Sequence, residues 1–261
     1  MHAHFRAARR LTGVLAITLP ALLAACTAAP PPAPVSTADP LRAEADADAA
    51  RDELAALAAA AQDRHLTATY TLATADGPAR RISVTSANDG SWRVDVPGWG
   101  RGGTVDVSLA ATADGLFQCA LPSAGRPESA SCVRLGDPDD AVPRKLDPRV
   151  EHPFTDWLDV LTDRRAALAV SPATPPAGVG GQCYSVESTS ASLNAPLDVG
   201  IYCYRPDGTP SMIRAALGTL TLTGEPGPAP ATVQLAGPVA EGEPIGREAP
   251  PPGDSPSPGT Q

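Results

Sequence analysis

An α+β fold built on an antiparallel sheet is predicted by three features of this sequence. Apolar and polar residues alternate with period two in runs that recur at hairpin spacing. Turn signals stand between those runs, at Asp76-Gly77-Pro78, Asn88-Asp89-Gly90, Asp114-Gly115 and Asp207-Gly208. Helical signals are confined to two segments, one ahead of the first strand and one in mid-chain. With 43% apolar and 19% charged residues in 261, the chain has the means to bury one sizeable core, while 30 Pro and 23 Gly must concentrate in turns and tails.

The first ten residues carry Arg6, Arg9 and Arg10 and no acid, and the apolar run Leu11 to Leu23 follows, broken at Pro20. A spanning helix needs about 18 apolar residues, so this run reads as a cleaved signal peptide, residues 1–25. Leu23-Ala24-Ala25-Cys26 resembles the lipobox of bacterial lipoproteins. That resemblance implies cleavage between Ala25 and Cys26, a diacylglyceryl group on the Cys26 thiol, and a mature chain anchored in membrane lipid on the outer, extracytoplasmic face of the cell membrane. Two acyl chains, at about 0.8 kcal/mol per buried methylene, suffice for stable anchoring.

Cleavage removes three Arg and no acids, leaving 17 basic against 29 acidic residues, so the formal charge moves from -9 to -12. An acidic domain lacks the basic footprint of a nucleic-acid binder. It is also repelled by anionic headgroups, which leaves attachment to the acylated Cys26.

Residues 26–40, with Pro30, Pro31, Pro32, Pro34 and Pro40, read as an extended tether. Residues 242–261 form a matching disordered Pro/Gly-rich tail, and 41–241 form a single β-rich domain. Within it, Leu41 to Gln62 is Ala-rich and helical by propensity, with a thin apolar face suited to close packing. The clean alternating runs are Leu66 to Leu72, Ile82 to Val84, Trp92 to Val96 and Val105 to Leu109. Less regular strands follow at Leu116 to Leu121, Ala130 to Leu135, Ala166 to Val170, Cys183 to Glu187, Val199 to Tyr204, Ser211 to Leu217 and Thr219 to Thr223. One amphipathic helix interrupts them at His152 to Arg165, where Phe154, Trp157, Leu158 and Leu161 share a face behind Pro153.

With Cys26 assigned to lipid, Cys119, Cys132, Cys183 and Cys203 remain, an even set in an exported domain. Three connectivities are open. Cys119 with Cys132 and Cys183 with Cys203 are favoured, since each pair lies on consecutive strands and closes a short loop. Cys132 is out of phase with Val133 and Leu135, so a bulge or an edge pairing is needed.

Motifs for chemistry are sparse. Past the signal peptide only His65 and His152 remain, and no G-x-S-x-G elbow, H-E-x-x-H helix or Gly-Lys phosphate loop occurs. His152 and Asp156 share a helix face, read as a cap or surface pair. Asp137, Asp139 and Asp140 do not match a calcium loop, and the cysteine spacings suit no usual zinc site. The reading is a chain that is not an enzyme, with no catalytic residue, metal or cofactor assigned; a hydrolase without a recognisable motif is the alternative, ranked third.

The order of lipobox, tether, Ala-rich helix, hairpin strands, amphipathic helix and further strands resembles the LolA-like superfamily of bacterial lipoproteins and lipoprotein carriers. It does so over about Leu41 to Leu235, in architecture alone. The resemblance implies a curved sheet, an incomplete β-barrel wrapped around an N-terminal helix and a helix covering the concave face. It also implies an apolar cavity but transfers no ligand-binding residue; the one-sided sheet with an amphipathic helix suited to cover it makes Tyr70, Leu72, Trp92, Val94, Phe154, Trp157, Leu158 and Leu161 the candidate lining. The expected function is binding or carrying a hydrophobic or acylated ligand there. The alternative is an envelope interaction or sensing module with a solid core.

Overall fold

Alanine sets the geometry of the first element. Helix α1 (Pro40–Gln62) buries a narrow stripe of Ala50, Leu54 and Ala58 at four-residue spacing, with Leu57 and Ala61 beside it. Because the stripe is mostly methyl groups, helix and sheet approach closely. Gly208, with φ +84°, turns directly against the α1 backbone at Ala60 and Ala61, where a Cβ has no room. The computed structural model describes residues 40–124, 126–190 and 195–249. The lipidation and cleavage positions Cys26 and Ala25, and the tether through Asp39, lie outside the described residues.

Two antiparallel meanders make up the sheet. The first is β1 (Leu66–Ala73), β2 (Arg80–Ser86), β3 (Trp92–Gly100), β4 (Val105–Thr112), β5 (Gly115–Leu121) and β6 (Ser131–Gly136). A long connection then carries a 3-10 turn (His152–Phe154) and the short helix α2 (Asp156–Thr162). The second meander is β7 (Leu168–Ala173), β8 (Gln182–Ser188), β9 (Gly200–Tyr204), β10 (Pro210–Ala215) and β11 (Gly218–Leu222), after which β12 (Gly227–Pro228) adds to β1. The sheet order is β6-β5-β4-β3-β2-β1-β11-β10-β9-β8-β7. The sheet is curved and open, with β6 and β7 at its two edges, so the connection from β6 to β7 crosses from one edge to the other. The helices and residues 147–152 depend on that crossing.

Register carries one apolar face across both meanders. Tyr202 pairs with Ile213, Ile213 with Leu220 and Leu220 with Leu72; Tyr70 pairs with Ile82, and Val84 with Val94. The helices cover only half of this inner face. Leu54 of α1 and Trp157, Leu158 and Leu161 of α2 pack with Val170, Tyr184, Tyr202 and Ile213 over β7 to β10. A second cluster lines β1 to β4 and includes Tyr70, Ile82, Val94, Val96 and Trp99. Arg51 ties α1 to the turn before β7, donating to the carbonyls of Asp163 at 2.7 Å and of Leu168 at 3.3 Å.

The mid-chain helix is shorter than its apolar spacing predicts. Thr155 adopts φ -132° and ψ -116°, which separates the 3-10 turn from α2, and Asp163 is already extended. The side chain of Asp163 accepts from the Arg165 N–H at 2.9 Å, so a local turn replaces the final helical turn.

Both disulfides join residues that face each other across adjacent strands, Cys119 with Cys132 on β5 and β6 and Cys183 with Cys203 on β8 and β9. The phase problem at Cys132 is solved by a register shift between Leu116 and Phe117, after which Phe117 faces Arg134 and Cys119 faces Cys132.

Residues 229–249 hold no regular element, yet they wrap the first meander. Pro230 and Ala231 accept from Asn88 and Asp89, the Ser91 hydroxyl accepts from the Val233 N–H, and Arg93 donates to the Gln234 carbonyl. The chain then runs along the free edge of β6, where the Cys132 N–H donates to Pro238 and the Ala240 N–H to Cys132. Past the edge it meets Gln118. Arg93 pairs with Ala110 and Gln118 with Leu109, successive residues of β4, so Arg93 and Gln118 belong to opposite faces. Residues 242–249, which composition places in the tail, are therefore laid on the inner face. Arg101 and Gly102 donate to the Gly246 and Arg247 carbonyls at 2.9 and 2.7 Å. Coverage of both faces buries almost all of β5 and shields an edge that would otherwise invite pairing.

Candidate functional site: an open cleft beside a carboxylate–histidine cluster

The helices reach the Leu66, Tyr70 and Val84 end of β1 and β2, and an open cleft of about 1100 Å³ lies at the other end of the first meander, beside Leu72, Arg80 and Val96. Its base is apolar, formed by Leu72, Val96, Trp99, Val150 and Leu217, and its rim carries Arg80, Arg149 and Arg247 with Asp76 and Asp147. Trp99 reaches this position through an irregularity in β3. Val96 faces Val107 but Gly100 faces Val105, so β3 carries two extra residues, with Gly98 at φ +60° in the bend. The Gly98 N–H donates to Asp106 at 2.7 Å and Arg80 donates to its carbonyl at 3.1 Å, which holds the bend open.

Between α1, α2 and the sheet, in contrast, a space of about 50 Å³ remains. It is lined by Leu66, Tyr70, Val84, Phe154, Leu158 and Pro210 among others. The residues singled out as cavity lining thus divide. Tyr70, Phe154 and Leu158 border the small space, and Leu72 borders the cleft. Trp157 and Leu161 are packed in the helix–sheet cluster, while Trp92 and Val94 belong to the β1–β4 cluster and border neither space.

Asp147, Glu151 and His152 converge behind the cleft, which Asp147 alone of the three borders. Arg149, between them, has φ +65°, a left-handed conformation that reverses the chain within four residues. The Asp147 carboxylate accepts from the Arg149 N–H at 2.6 Å, which fixes the reversal. The Arg149 guanidinium turns away to Asp198 at 2.6 Å. One ligating atom from each of Asp147, Glu151 and His152 lies within 4.8 Å of the other two. His152 stands between two carboxylates, Nε2 at 3.1 Å from Asp147 and Nδ1 at 2.6 Å from Asp156, and its ring stacks on Trp157 with centroids 5.4 Å apart.

The electrostatics follow from this placement. Burial opposes charge on His152, but hydrogen bonds to Asp147 and Asp156 outweigh it and push the ring up to about 10. Burial would raise Asp147, and the hydrogen bond and charge of His152 reverse the sign, holding it below the usual carboxylate range. Glu151 is 1% exposed, and neither of its carboxylate oxygens has a hydrogen-bond partner. Asp147, held ionised, offers it no donor, so only the proton that Glu151 itself retains can bridge the two carboxyl groups. Burial, and then the Asp147 charge, push Glu151 up to about 8.

Of these residues only His152 and Asp156 stand out in the sequence, as a helix-face pair. Asp147 and Glu151 were missed because their approach depends on the left-handed Arg149 and on no periodicity. The Asp147, Glu151, His152, Asp156 spacing was the available signal. Comparison with protein-family models, with curated proteins and with solved structures finds no match to this chain.

Proposed function

We propose that the protein is a lipoprotein, anchored through Cys26 to the outer face of the cell membrane, that holds the apolar part of an amphiphilic ligand in the open cleft. The observation that carries this reading is the cleft itself, about 1100 Å³ with an apolar base and three arginines at its rim. Small-molecule sites usually enclose roughly 300–1,000 Å³, so this volume fits an acyl chain with its headgroup better than a small metabolite. Leu72, Trp99 and Leu217 supply contact for the chain, and Arg80 and Arg247 supply donors for a polar or anionic head. The site lies beside the helices, displaced from the expected position between them and the sheet.

The test is native mass spectrometry and lipid extraction on the Cys26→Ser chain, with a fluorescent fatty acid as probe. The expected result is a bound amphiphile or saturable probe binding, weakened in Trp99→Ala. Absence of both refutes the reading.

The space of about 50 Å³ between helices and sheet favours a second reading, an interaction or sensing module with a solid core. Crosslinking on intact cells separates the two. A reproducible protein partner, lost when residues 242–261 are deleted, favours the second.

A further inference from the structure

We propose that Asp147, Glu151 and His152 bind a single divalent transition-metal ion such as Zn²⁺, with Asp156 as the residue that orients the histidine. The site stands whether or not the cleft receives an amphiphile. Three observations carry it. The ligating atoms of the three residues already lie within 4.8 Å of one another, whereas ligands about 2.1 Å from a tetrahedral metal stand about 3.4 Å apart, so side-chain rotations of an ångström or two close the site. Glu151 places both carboxylate oxygens in the protein interior with no donor from the protein to meet them, so its ionised form calls for a cation there. His152 is already arranged as a metal-bound imidazole is in other proteins: Nδ1 is held by the Asp156 carboxylate at 2.6 Å, and Nε2 faces Asp147 at 3.1 Å.

The donor set selects the ion. Two carboxylates and one imidazole suit Zn²⁺, Mn²⁺ or Fe²⁺, whereas Ca²⁺ and Mg²⁺ prefer oxygen alone. Two carboxylates and a neutral imidazole also balance a double positive charge, so no net charge is buried. Coordination uses the Nε2 lone pair, so that nitrogen gives up its hydrogen while Nδ1–H stays on Asp156. Asp147 borders the cleft, which leaves a fourth position for water or a ligand group on the open side.

The experiment uses the full-length chain in detergent, stripped with a chelator, loaded with Zn²⁺ or Co²⁺ and desalted. Elemental analysis is expected to find one Zn²⁺ per chain, retained against excess Mg²⁺. Glu151→Gln and His152→Gln are expected to lose it. Asp156→Asn is expected to bind about 10- to 100-fold more weakly, because the ring loses its partner. His65→Ala, at an exposed position away from the cluster, is expected to keep one equivalent. Since a core variant can fail to fold, the wild-type Co²⁺ form supplies an independent readout. One paramagnetically shifted ring N–H, slow to exchange with water, is expected from His152. Zn²⁺ at the level of the buffer blank, full retention in both Glu151→Gln and His152→Gln, or a Co²⁺ form without that proton overturns the proposal.

Discussion

Replacing Gln118 with Leu tests whether the segment after β12 is held on the inner face by side-chain pairing. Gln118 is 2% exposed, and its amide makes both halves of a β-type exchange, donating to the Ile245 carbonyl at 3.0 Å and accepting from the Ile245 N–H at 2.6 Å. Leu preserves most of the volume and removes both bonds. Each is worth about 1 kcal/mol net, so the segment loses about 2 kcal/mol of local attachment. At 1.4 kcal/mol per factor of ten, local opening becomes about 30-fold more frequent. The reporters are the Arg101 and Gly102 amides, which donate to the Gly246 and Arg247 carbonyls. Hydrogen exchange at those two amides is expected to accelerate by that factor, with core strands such as β1 unaffected. Unchanged exchange at both would show that the 245–247 segment is held by packing against Trp99 and Gly100, and would refute the reasoning.

Three further outcomes follow from the packing. Leu54→Ala removes a fully buried side chain at the centre of the helix–sheet cluster and is expected to cost about 2–5 kcal/mol in urea unfolding. Replacing Cys119 and Cys132 together by Ala opens a loop with a sequence separation of 13, and loop entropy gives a loss of about 3 kcal/mol, read as a lower urea midpoint under non-reducing conditions. Gly181→Ala is expected to destabilise by more than about 1 kcal/mol by the same measurement, because φ is +95° and an added Cβ would meet the Tyr204 carbonyl.

Regular elements were legible in the sequence because each one obeys a single period. The alternation from Leu66 to Leu72 marks β1 correctly, and its burial alternates residue by residue as the pattern requires. Cysteine pairing was legible for a related reason, since both pairs lie on consecutive strands where hairpin geometry brings them together. What escaped is set by single backbone conformations. Thr155 breaks the mid-chain helix although Phe154, Trp157, Leu158 and Leu161 keep helical spacing. Gly98 bends β3 so that Trp99 borders the cleft, whereas the sequence places it in a Gly-rich loop. Residues 242–249 have tail composition, and their order comes from backbone carbonyls accepting from Arg101, Gly102 and Gln118, which no hydrophobic pattern encodes.

These irregular segments explain why the cleft exists where it does. Helix α2 has seven residues and α1 meets β7, so helical cover reaches the β7–β10 half of the inner face and, beyond it, only the Leu66, Tyr70 and Val84 end of β1 and β2. The rest of the β1–β4 half has the same apolar character, with Leu72 and Val96 in register with buried neighbours, and no helix to cover it. Two structureless segments occupy part of that uncovered half. Residues 147–150 enter from the crossing connection and bring Val150 with the carboxylate–histidine cluster, while residues 245–247 arrive around the β6 edge and bring Arg247. Neither fills it, because each is tied to another part of the chain, Arg149 to Asp198 and the Gly246 carbonyl to the Arg101 N–H. The remaining volume is therefore a consequence of where the two segments are pinned. Changing the pins, at Asp198 or at Gln118, alters the cleft without touching the residues that form its base.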